Sequence, residues 1–212
     1  MSRTESFWDR MTENQEKDAK RFEVLQNWII EKTVPYLEKN RILLDYACGN
    51  GMKTVELAHH VKKITGIDIS RKAVELAGIK AAQSGAGNTE FFKADIFDSR
   101  LQPESLDTIT AFNILHGVDD IQAVLRRIDT LLKPGGKFIS ATPCLNENSS
   151  FILNLQFFLF RLACFLKIIP ITIRRFTFIE LEKAVGKAGF KTLESDQNFS
   201  ELSCLFIAAE KQ

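Results

Sequence analysis

A chain of 212 residues, 45% hydrophobic and 26% charged, carries enough apolar material for one globular domain with a sizeable core. Its net charge of +1 gives no electrostatic reason to expect nucleic acid, whose partners carry a basic excess or stripe. Cys48, Cys144, Cys164 and Cys204 lie far apart without metal-ligand spacing, which suits free thiols in a reducing compartment.

Residues 1–40 form a polar N-terminal cap segment, helical in pattern from about residue 5 to 38. Its first ten residues lack the apolar run of a signal peptide, which points to the cytoplasm. Residues 41–46 are a short apolar run suited to a strand buried on both faces. Gly49 and Gly51 then turn the chain into a helix over residues 52–60, with Val55, Leu57 and Ala58 apolar. His59 and His60 are neighbours on that helix and point in different directions, a poor chelate, so no metal is expected.

Residues 64–69 are the second strand. Ser70 is placed to cap a helix whose apolar face is Ala73, Val74, Leu76 and Ala77. After a turn over residues 84–88, strands follow at 89–94 and 106–112, then a helix at 121–132. Pro134-Gly-Gly136 predicts a sharp turn into a fifth strand, residues 137–142. Residues 178–188 read as a helix closed by Gly189, and strands at 190–194 and 204–209 complete the chain. Strands and helices in alternation predict an α/β fold, a doubly wound, mostly parallel sheet with helices on both faces. Ligands in such sheets sit beyond the carboxyl ends of the strands, where the strand order reverses.

Three carboxylates fall at successive strand ends: Asp45, Asp68 and Asp95. Asp107 is a further one, beside the fourth strand. A dinucleotide site would want a third glycine where Thr54 stands, and Asp45 would repel a pyrophosphate. A cationic ligand part suits Asp45 better, and Asp68 can accept from both hydroxyls of a ribose.

These stretches together resemble the class I S-adenosylmethionine-dependent methyltransferases. Asp45-Tyr-Ala-Cys-Gly-Asn-Gly51 is similar to the family's first motif, with Ala47 where glycine is usual. Gly66-Ile-Asp-Ile-Ser70, Lys93-Ala-Asp-Ile-Phe97 and Leu132-Lys-Pro-Gly-Gly-Lys137 resemble the segments that follow. The resemblance implies a Rossmann-like sheet of seven strands with an antiparallel last strand. It implies S-adenosylmethionine as cofactor, with S-adenosylhomocysteine as product. Asp45, Tyr46, Ala47, Gly49 and Gly51 would surround its methionyl end. Asp68 would take the ribose hydroxyls, Ile69 would pack on the adenine, and Asp95 and the Ile96 backbone would pair with the adenine edge. Asn113 would line the methyl region.

His116 follows the fourth strand and is the candidate general base for an acceptor that must lose a proton; packing is the alternative role. Residues 151–169 are strongly apolar, but Arg161 and Lys167 interrupt them and argue against a membrane span. Within residues 41–212, the stretch at about 146–175 has the position of a lid over the acceptor. Phe157 and Phe158 would then face a lipophilic or aromatic small molecule, with Trp8 closing the other side. A buried helix, a homodimer contact and docking on a membrane surface are the other readings of 151–169. Two further functions compete with methyl transfer: a non-catalytic binding or assembly protein of the same fold, and a nicotinamide-dependent oxidoreductase.

Overall fold

The computed structural model describes residues 2–12, 22–146, 158–160, 162–164, 169–199 and 203–212. Helices α1 (Arg3–Thr12) and α2 (Glu23–Thr33) precede the first strand, β1 (Ile42–Tyr46). Then come α3 (Met52–Leu57), β2 (Lys63–Asp68), α4 (Arg71–Gln83), β3 (Thr89–Lys93) and β4 (Leu106–Phe112). The remaining elements are α5 (Ile121–Leu131), β5 (Leu132–Pro143), α6 (Phe178–Lys187), β6 (Phe190–Asn198) and β7 (Cys204–Lys211).

The strands form one seven-stranded sheet in the order β3-β2-β1-β4-β5-β7-β6. β1 pairs in parallel with both β2 and β4, so the order reverses at β1. β7 alone runs antiparallel to its neighbours, β5 and β6. Every residue of β4 is buried, as expected for the Leu-Asp-Thr-Ile-Thr-Ala-Phe run of a central strand covered on both faces.

The two faces have separate cores. On one, Ile121, Leu125 and Ile128 of α5 and Leu181 and Val185 of α6 pack on Ile109, Phe138 and Leu205. On the other, Leu25 and Ile29 of α2 and Val55 and Leu57 of α3 pack on Leu43, Ile139 and Phe206. Phe138 and Phe206 are fully buried on opposite sides, and losing either ring would cost about 3–5 kcal/mol.

Caps fix the helix starts. The Ser70 hydroxyl accepts from the Ala73 N–H, and Asp120 accepts from Gln122 and Ala123. Thr177 and Glu180 form a reciprocal capping box at α6. Two sequence expectations change here. Pro134-Gly-Gly136 lies inside β5 as an irregularity of register, with Leu132 opposite Leu106 and Lys137 opposite Thr108. Leu76 faces solvent, and α4 buries the small residues Ala73, Ala77 and Ala81. Among the described residues no helix is long and apolar enough to cross a membrane.

Candidate active site

The loop from β1 to α3 shapes the site. Ala47, Gly49 and Gly51 all have left-handed φ angles, 60°, 55° and 73°. At Gly51 a Cβ would also stand 2.6 Å from the Ala77 Cβ, so glycine lets α3 start against α4. Gly51 serves that packing and is not among the residues lining the cleft. Ala47 occupies a conformation that a side chain disfavours by roughly 1–2 kcal/mol.

Asp45 lies behind the loop instead of facing the cleft. It is buried, accepting from Thr54 Oγ1 at 2.5 Å and Thr110 Oγ1 at 2.8 Å. The threonine that displaces a third glycine is therefore the partner that ties Asp45 to the start of α3. Burial pushes the Asp45 carboxyl above its ordinary range, against the pull of those two hydroxyls.

Asp68 lines the cleft. One carboxylate oxygen accepts from the Gly49 N–H at 3.0 Å and the other from the Ser70 N–H at 2.9 Å. Burial raises its pKa, while these backbone donors pull it down. The same side chain thus shapes the glycine loop and presents free lone pairs to a ligand. Asp95 is exposed at the next strand end and accepts from the Phe97 N–H, with no further hydrogen bond to its second oxygen among the described residues. Tyr46, Ala47, Gly49, Ile69 and Asn113 also line the cleft. Ile96 is fully buried beneath it.

The cleft has a volume of about 1010 Å³ and lies where β1 and β4 meet at the reversal of strand order. One half is the polar rim just described. The other is largely apolar, walled by Phe22 just ahead of α2, by Leu25 and Ile29 on one face of α2, by Phe112 and Ile114, and by residues 169–172. Trp8 lines it from α1.

Helix α1 is held over the cleft by contacts to three different elements. Glu5 pairs with Lys93 of β3 at 2.5 Å, and Asp9 accepts from the Ser70 hydroxyl at 2.5 Å. Thr4 Oγ1 donates to the Pro170 carbonyl at 2.9 Å. Residues 170–176 form a strap tied to the loop after β4. The Arg174 N–H donates to the His116 carbonyl at 2.7 Å, and Thr172 Oγ1 to Asp119 at 2.6 Å.

His116 lines the cleft, and among the described residues its buried Nδ1 has no partner. Burial depresses its pKa to about 4, so the imidazole is neutral at pH 7. Phe157 lies outside the described residues, as do the other residues of 151–169 save 158–160, 162–164 and 169. Phe158 is helical and 63% exposed, and it is not among the residues lining the cleft. Leu159 and Leu162 are also exposed. Asp107 belongs to the opposite end of the sheet. Although burial raises its pKa, Lys133, the Ile42 N–H and Arg41 together hold the carboxyl low.

The sequence reading missed Lys53, Phe22, Gln26 and Phe112, while residues 170–175 of the strap fall within the stretch it placed as a lid. The apolar residues at positions 22, 25 and 29 of the α2 region have the spacing of one helix face, which was visible. That this face meets a cleft rather than only the core was not.

A family model of the methyltransferase domain matches residues 37–167. The chain belongs to the class I methyltransferases. Among the sequence relatives of this chain, the ubiquinone biosynthesis O-methyltransferase of Vibrio atlanticus is 31% identical over 58% of this chain and 50% of its own length. That of Ralstonia nicotianae is 33% identical over 55% of this chain and 48% of its own. The chain thus spans about half the length of the curated relatives it matches. Among solved structures, the YcgJ protein of Bacillus subtilis superposes with a TM-score of 0.71 at 16% identity, covering 88% of this chain and 99% of that one. Geranyl diphosphate methyltransferase, solved with GPP and sinefungin, has a TM-score of 0.71 at 13% identity, over 90% of this chain and 78% of its own.

Proposed function

We propose that this protein transfers the methyl group of S-adenosylmethionine to a small lipophilic or aromatic acceptor. The observation that carries this reading is the division of one cleft into a hydrogen-bonding half and an apolar half, at the reversal of strand order. The residues present fit the cofactor: Asp68 has lone pairs to spare for a ribose diol, Asp95 has an open oxygen for an amino group, and left-handed backbone at Ala47 and Gly49 allows close approach. Asp45 acts from behind, fixing α3 through Thr54. Residues 1–40 serve as a cap and residues 41–212 as the transferase domain, with a lid at about 146–175.

The bound cofactor supplies an electrophilic methyl on a sulfonium, so the chain contributes alignment and exclusion of water. The apolar walls of α2 and the strap desolvate the acceptor, and Trp8 closes the space above it. His116 is held neutral, so at pH 7 its unpartnered nitrogen can accept a proton from an acceptor hydroxyl. Its low pKa makes it a weak base, suited to an acceptor whose own proton is acidic.

Calorimetry with S-adenosylmethionine and with NAD, followed by turnover to S-adenosylhomocysteine across phenols, quinones and fatty acids, tests the proposal. Asp68→Ala should weaken cofactor binding by about tenfold or more, since charge-assisted hydrogen bonds contribute roughly 1.5–3 kcal/mol each. Preference for NAD, or tight cofactor binding without turnover of any acceptor, would favour the competing functions instead.

A further inference from the structure

We infer that Gln26 selects the acceptor by receiving a hydrogen bond from it, a role that rests on the methyltransferase reading. The donor is a neutral O–H or N–H on the acceptor's apolar body, apart from the group that receives the methyl. Gln26 lies on α2, four residues after Phe22 and three before Ile29, so with Leu25 these side chains share one helix face. All four line the cleft, and Gln26 is the polar residue among them. Its side chain is half-buried, and its Oε1 is shielded from water with no partner among the described residues. A buried amide oxygen without a donor is destabilising, and a single donor removes that penalty.

The packing of α2 sets that oxygen apart from the polar rim. The Trp28 ring meets Phe206 of β7 edge to face, with centroids 6.0 Å apart. Lys32 pairs with Glu194 at 2.8 Å and with Asp196 at 2.6 Å, both on β6. Leu25 and Ile29 share a buried cluster with Phe112, Ala141 and Cys204, at the ends of β4 and β5 and the start of β7. Helix α2 thus covers the β4–β5–β7 side of the reversal in strand order, whereas Asp68 and Asp95 stand at the ends of β2 and β3 on the other side. His116 belongs to the loop after β4 and is tied to the strap, so a donor received by Gln26 is not the one that His116 takes. The last torsion of a glutamine is broad, so the amide can turn its oxygen onto a ligand held against Phe22 and Ile29 while α2 stays in place. That apolar surround suits a neutral donor on an aromatic or aliphatic body, since an ammonium would lose its hydration there.

Two pairs of ligands that differ by one methyl on the donor atom test this: indole against 1-methylindole, and 4-ethylphenol against 4-ethylanisole. Each is titrated calorimetrically, with S-adenosylhomocysteine present, into the parent, Gln26→Met and Gln26→Glu. Met keeps the length of the side chain and removes its oxygen, while Glu keeps an oxygen that accepts. In at least one pair the parent should bind the donor member about two- to tenfold tighter, the range of one net hydrogen bond. That preference should vanish in Gln26→Met and persist in Gln26→Glu.

Because Gln26→Met removes a buried unpaired oxygen, it should melt no lower than the parent, and a markedly lower melting temperature would make the residue structural and overturn the inference. A preference that survives in Gln26→Met, or is lost in Gln26→Glu, overturns it too. So does S-adenosylmethionine binding weakened about tenfold in Gln26→Met, which would assign the donor to the cofactor's ammonium. A parent that binds S-adenosylmethionine but prefers the donor member of neither pair overturns the inference alone. A parent that does not bind S-adenosylmethionine overturns the methyltransferase reading and the inference with it.

Discussion

The two halves of the cleft are built by different means. The rim is built at the ends of successive strands, where Asp68 at the end of β2 holds Gly49, 19 residues earlier, and the neighbouring Ser70 through backbone donors. The apolar cover is assembled from segments far apart in sequence, with Thr4 reaching Pro170 and Arg174 reaching His116. The rim is specified by backbone geometry and tolerates little change, while the cover is held mostly by side chains that can be exchanged, with one backbone bond from Arg174 to His116. Damage to the rim should therefore show as lost fold, and damage to the cover as altered binding.

The sharpest way to break the rim is Gly51→Ala. The added Cβ meets the Ala77 Cβ at 2.6 Å, at a residue whose φ is 73°. Overpacking and left-handed strain together should cost about 2–5 kcal/mol, read by urea titration. A loss under about 1 kcal/mol would mean that α3 shifts freely against α4.

His116 joins the two halves and gives the next largest effect, confined to acid. Its pKa is about 4 in the fold against 6.5 for the free side chain. Between those values the unfolded chain binds a proton that the folded chain refuses. Stability therefore falls as the pH drops from about 6.5 to 4, by about 3 kcal/mol in all. His116→Gln should remove that part of the acid slope, while an unchanged slope would show that the imidazole reaches water.

The cover should respond more mildly. Glu5→Gln with Asp9→Asn removes the charges that tie α1 to Lys93 and Ser70. The melting temperature should barely move, whereas cofactor affinity should fall by a few-fold as Trp8 loses its seat. If the melting temperature fell and binding did not, α1 would be part of the core and not a cover.

Smallest of all is Ala47→Gly, which relieves the left-handed alanine at φ 60°. It should raise stability by up to about 1 kcal/mol, less than the strain because glycine also loosens the unfolded chain. A loss of stability would show that the Ala47 methyl packs to advantage.

The same division explains what the sequence made legible. The strands, their order of function and the residues of the rim could be read because period, turn and motif are local signals. Asp45 misled in one respect, since its place at a strand end does not tell whether it faces a ligand or Thr54 and Thr110. The contacts of the cover were hidden because they join residues from 53 to 166 positions apart. No spacing rule pairs Thr4 with Pro170, and nothing local marks Lys53 as lining a cleft rather than a solvated helix face. Phe158 had the composition of a lid residue, yet composition does not say which way a helix turns its side chains.

The contacts of α1 also bear on how the cleft admits its ligands. Glu5, Asp9 and Thr4 all lie within two turns of one helix, and their partners belong to β3, to the start of α4 and to the strap. A rigid helix cannot release one of these partners and keep the others at full strength. Opening is then cooperative, an all-or-none event instead of a gradual widening, and a ligand enclosed beneath Trp8 waits for the whole latch to let go.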